Sequence, residues 1–127
     1  MDANPVLWIL QLLLALAFLG AGIGHIVNYE RMASQPRMSW VTAVGRDRLR
    51  VIGVLEVLGA IGVVLPALTG VLPWLVPTAA ASLALLMVFA MVFHLRRPGE
   101  VPNVTVNAGL GALALAVAIG RFFVAPF

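Results

Sequence analysis

The chain has no cysteine and no lysine, and only 10% of its 127 residues are charged. Each shortage excludes something. Without cysteine there is no disulfide, thiol nucleophile, thiolate metal site or iron–sulfur cluster. An ordinary soluble domain carries roughly a quarter charged residues, so this chain cannot cover itself with a polar surface. Its 8 basic residues are all arginine, for a net charge of +3. They flank apolar runs and form no basic stripe with interleaved aromatics. That pattern argues for control of membrane topology and against a nucleic-acid partner. The first residues, MDANPVLWILQLLLALAFLG, carry Asp2 where a secretory signal carries a basic region. The run after it is long enough to span a bilayer, so a retained helix is expected.

What the chain has in abundance is apolar side chains, at 62%. They fall in four segments, near residues 5–27, 49–68, 72–95 and 101–123. Each approaches 20 residues, about one bilayer core at roughly 1.5 Å of rise per residue. Pro5, Pro73, Pro77 and Pro102 stand in opening turns, where a missing N–H costs little; Pro66 breaks the second segment. The expected fold is an all-α membrane protein, an antiparallel bundle of four transmembrane helices forming one domain over residues 1–127. The longest connection, residues 28–48, has an apolar side in Met32, Met38, Trp40 and Val44. It is expected to lie on the membrane surface, with Tyr29 and Trp40 at headgroup level. Gly20 and Gly24 form a GxxxG pair, and Gly53, Gly59, Gly62, Gly109 and Gly111 mark further close helix contacts.

Arginine sets the expected orientation. The first connection and its flanks carry Arg31, Arg37, Arg46, Arg48 and Arg50; the third carries Arg96 and Arg97; the second carries none. The positive-inside rule places the first and third in the cytoplasm and both termini outside. On that topology His25, Glu56, His94, Asn103 and Asn107 come from all four helices yet share the cytoplasmic half. Ionisable groups in a span are expensive, about 2.5–3.5 kcal/mol for Asp or Arg at the helix centre, so the cluster asks for a reason. Three readings stand open. Glu56 can glue helices together. The five residues can bind a quinone-like or lipid-like molecule by its polar head, under an apolar roof. Or His25, His94 and Glu56 can hold zinc or non-haem iron, although no metal ligand is assigned. Toward the outer side, Gln11 and Arg121 form a second polar pair that can hydrogen-bond; simple snorkelling is the plainer role for Arg121.

The run LQLLLALAFLGAGIGH, then MSWV, RVIGVLEVLGAIGVVLP, LVPTAAASLALLMVFAMVFHLRR and a closing GRFF resembles the DoxX-like membrane family over nearly the whole chain. The resemblance implies a small four-helix subunit of a bacterial cytoplasmic (inner) membrane. It implies polar positions at His25, Glu56, His94 and Asn107. Its wider relatives include quinone-linked subunits of a thiosulfate-oxidising enzyme and a membrane chaperone for receptor assembly. At His25 many members are expected to carry lysine, so here a titratable ring replaces a fixed cation. The chain shows no nucleophile or cofactor motif of its own. The expected role is therefore an accessory or ligand-binding subunit, with room for a place in a membrane oxidoreductase, rather than an enzyme alone. An assembly factor, structural partner or homo-oligomer surrounded by membrane lipids is the rival class.

Overall fold

Pro5 sits in the first turn of α1 (Asn4–Val27), and the 24 residues of that helix are apolar almost throughout. In the computed structural model, which describes residues 2–127, three more stretches follow the same logic. The second span is α4 (Arg46–Gly62) continued by α5 (Leu65–Thr69) after a break at Val63 and Val64. Pro66 supplies that break by removing a backbone donor and crowding the preceding turn. The third is α6 (Leu75–Leu95), and the fourth is α7 (Val101–Ile119), which widens into a π-helical turn over Gly120–Val124. All four are long and apolar enough to cross a membrane. There is no strand among the described residues. The chain is a four-helix membrane bundle.

Two boundaries differ from the apolar pattern. α4 begins at Arg46, before its first apolar residues, because the charged opening turn still suits the headgroup region. α6 begins at Leu75 rather than near Leu72, since the residues around Pro73 form a turn. The long first connection folds as α2 (Tyr29–Ala33), a 3-10 turn at Pro36–Met38 and α3 (Ser39–Val44). α3 packs on α4 through the fully buried Val41.

α1 packs chiefly on α4 and α6 on α7, and the two pairs join through α4 against α6 and α1 against α7. The core holds Leu14, Phe18, Val63, Leu83, Met87 and Val117 between the small residues Ala60, Ala80, Ala114 and Ala118. Large apolar side chains such as Leu16, Val27, Leu58 and Phe123 point outward, the reverse of a soluble protein and the natural arrangement where lipid is the solvent. The glycines correct two expectations, one of them at Gly109, where a Cβ meets nothing within 4 Å. A Cβ at Gly20 or Gly24 meets nothing within 4 Å, so this pair makes no contact inside the bundle. The close crossing is at Gly22, where a Cβ would stand 2.7 Å from the Gly53 carbonyl oxygen, and reciprocally at Gly53, 2.6 Å from the Gly22 oxygen.

Candidate functional site

The Gly22–Gly53 crossing positions the first polar pair. His25 and Glu56 each lie three residues beyond a crossing glycine, so both sit one turn further along the same helix faces. With the backbones in contact, the His25 Nδ1 comes 2.7 Å from Glu56 Oε2. Glu56 is buried, and the His25 side chain keeps 16% of its surface.

A second pair forms where α6 meets α7. After α6 the chain turns through Pro98 and Gly99, whose φ of 77° favours glycine. The turn folds Glu100 back so that Oε1 lies 3.0 Å from His94 Nδ1, while Oε2 accepts from Arg97 Nε. Both His94 and Glu100 are buried. Arg97 also reaches Ser39 Oγ at 3.4 Å, which ties α3 to this end of α6. That clamp holds Trp40 between the two imidazoles, edge to face with His25 at 5.9 Å and with His94 at 5.4 Å between ring centroids. Such aromatic geometry is favourable at these separations. Trp40 therefore faces the bundle rather than serving as a headgroup anchor.

Under this roof lies a cavity of about 460 Å³. Its walls include His25, Glu56, His94, Asn103 and Asn107, so the structure brings all five residues to one space. The remainder is mostly apolar, with Phe18, Met87, Phe89, Phe93 and Leu110 from α1, α6 and α7, and Leu49 and Ile52 from α4. With Nδ1 of each ring engaged by a carboxyl oxygen, the ring is aligned and Nε2 is left for a further bond. Neither Nε2 has a hydrogen-bond partner among the described residues, and neither do the side-chain amides of Asn103 and Asn107. The site thus offers several unspent donors and acceptors inside an apolar wall.

The same geometry does not support the metal reading. The Trp40 indole stands between the His25 and His94 rings and keeps the two imidazoles from converging on one ion. No group of three His, Asp or Glu side chains able to hold a metal ion exists among the described residues.

The model of the DoxX-like family matches residues 9–117, most of the chain and every part of this cavity. The chain belongs to the DoxX-like family. No curated protein and no solved structure matches it. It is a small membrane protein whose helices contact lipid.

At the opposite end of this DoxX-like bundle the polar residues are arranged differently. Arg121 is 2% exposed and does not snorkel. Its Nε donates to Gln11 Oε1 at 2.5 Å, and its Nη1 donates to Asn4 Oδ1 at 2.6 Å and to the Ala125 carbonyl at 2.9 Å. Gln11 in turn donates from Nε2 to the Val63 carbonyl at 2.7 Å, beside the break before Pro66. The Phe127 ring covers the guanidinium at 4.0 Å, with Trp8 at 5.7 Å, a cation–π enclosure.

Three participants escape sequence reasoning. Glu100 reads as part of a short charged connection; only the proline–glycine turn before it hints that it folds back. Trp40 reads as an interfacial aromatic, and the serine before it gives no warning of the Arg97 clamp. Asn4 precedes the first apolar run, 117 positions from its partner Arg121.

Proposed function

We propose that this DoxX-like protein is an accessory subunit that holds the polar head of a quinone-like or lipid-like amphiphile in the cavity between its two His–Glu pairs. The observation that carries this reading is the pair of imidazoles, each held by a carboxyl group at Nδ1 and each with Nε2 unspent, on a mostly apolar cavity of about 460 Å³ that also carries Arg48, Asn103 and Asn107 on its walls. That size falls within the ~300–1,000 Å³ range of small-molecule sites. The flat rings of Phe18, Trp40, Phe89 and Phe93 on the walls favour a planar head, and so the quinone-like ligand. His25, His94, Asn103 and Asn107 serve as hydrogen-bonding anchors, with Glu56 and Glu100 as the groups that orient the rings. The chain then works beside a redox partner rather than as an enzyme alone. In the orientation the arginines favour, the cavity opens in the cytoplasmic half of a bacterial inner membrane with both termini outside.

The test is mass spectrometry of lipids and quinones that co-purify in mild detergent. Wild-type protein is expected to retain one molecular species in near-stoichiometric amount. Glu56→Gln and His94→Ala are each expected to lower it about tenfold, the scale of one lost buried hydrogen bond to a charged group. Unchanged ligand content in both variants, with only thermal stability reduced, sinks the proposal.

One observation favours a second reading, a helix partner. Gly20 and Gly24 leave a small-residue groove facing away from the bundle, suited to close approach of another membrane helix or a second copy. Gly20→Leu with Gly24→Leu should abolish a crosslinked dimer or partner complex while leaving the melting temperature unchanged; an intact complex rejects this reading.

A further inference from the structure

On another face of α4 than the cavity, the arginine-rich end carries a second, open basin of about 770 Å³. Arg46 and Arg50 are four residues apart, so they share a face of α4, rotated about a third of a turn from that of Ile52 and Glu56. Arg31 of α2 joins them, and Glu30 supplies the only carboxylate on the basin wall. Arg46 donates to Glu30 Oε1 at 2.8 Å in an exposed ion pair and lies 4.7 Å over the Tyr29 ring. Arg31 and Arg50 have no acidic partner among the described residues. Three guanidiniums against one carboxylate leave the basin with a surplus of two positive charges. Its apolar lining is Ile26 and Val27 at the end of the first span, and Val27 is exposed on the outside of the bundle.

We infer that this basin binds the phosphate of an anionic phospholipid, with the Arg31 and Arg50 forks on the phosphate oxygens and Arg46 held beside them by Glu30 and Tyr29. Guanidinium matches phosphate with two parallel hydrogen bonds, which an ammonium cannot do. The position at the end of two membrane spans puts the phosphate at headgroup level and the acyl chains against lipid-facing helix. The site is separate from the His–Glu cavity and independent of the ligand proposed there.

The experiment is native mass spectrometry of the full chain released from nanodiscs of phosphatidylglycerol and phosphatidylcholine. Arg31→Gln with Arg50→Gln is compared with Arg37→Gln with Arg96→Gln, which removes the same charge elsewhere on that end. The first double variant is expected to lose retained phosphatidylglycerol about 25-fold, and the second less than about twofold, since each of the two basic residues that engage the anionic lipid contributes about fivefold. Equal losses in the two variants would reduce the site to general surface charge and overturn it. Retention unchanged in the first variant overturns it as well. Displacement of the lipid by millimolar inorganic phosphate, bound with the same arginine dependence, would reassign the basin to a soluble phosphate.

Discussion

The two ends of the bundle each bury charged and polar side chains, but they use them in opposite ways. Around Arg121 the Nε and Nη1 atoms are spent on the protein itself, on Gln11, Asn4 and the Ala125 carbonyl, while Nη2 is buried without a hydrogen-bond partner beneath the Phe127 ring. Around Trp40, His25 and His94 are each tied at one nitrogen only, and the other nitrogen stands on a cavity wall with Asn103 and Asn107. Burying a polar group costs several kcal/mol unless it is satisfied, roughly 2–7 kcal/mol by transfer. Around Arg121 most of that cost is met by bonds that tie α1 to the end of α7. Around Trp40 the unpaired nitrogens and amides stand beside open volume instead. Burial alone therefore does not distinguish the two ends; the open volume beside unpaired polar atoms does.

The comparison can be broken at three places. The largest effect is expected at the helix crossing. Gly53→Leu drives a side chain into the Gly22 carbonyl and should cost about 3 kcal/mol through overpacking. It should also separate His25 from Glu56, so a thermal melt and ligand retention should fall together. Next, Arg121→Leu strands Gln11 Oε1 and Asn4 Oδ1 and should cost about 2 kcal/mol. Because the closed end is structural, ligand content per folded molecule should stay at the wild-type level; a parallel loss of ligand would erase the distinction between the ends. The smallest effect is expected for Asn107→Ala. Its amide bonds no protein group, so stability should change by less than about 0.5 kcal/mol, while ligand retention drops about threefold by the same mass-spectrometric measure.

Much of this was legible in the sequence, for reasons specific to each feature. Spans announce themselves because a bilayer sets their length, and Glu56 stands out because charge is rare in such a run. Depth along each helix brings His25, Glu56, His94, Asn103 and Asn107 to one level, and the cavity lies there. Rotation about each helix axis is less legible. In a membrane helix apolar residues face both core and lipid, so periodicity points weakly to a side; Gly20 and Gly24 form the familiar spacing, yet Gly22 makes the contact. Turns hide partners too. Nothing in the spacing of His94 and Glu100 tells that the positive φ at Gly99 returns the carboxylate to the ring. Arg121 lies near a span end where snorkelling is open to it, and only the pairing of α1 with α7 supplies Gln11 and Asn4 as acceptors.

The chain has 2 histidines, and both face the cavity, so nitrogen-15 imidazole spectra report on the proposed site without interference. The decisive measurement compares histidine-labelled protein in nanodiscs, stripped of co-purifying molecules, before and after addition of a short-chain quinone. The account predicts that the Nε2 signals of His25 and His94 both move while their Nδ1 signals, held by Glu56 and Glu100, stay in place. Nε2 signals identical in the stripped protein, the quinone-treated protein and the protein as first purified would contradict it.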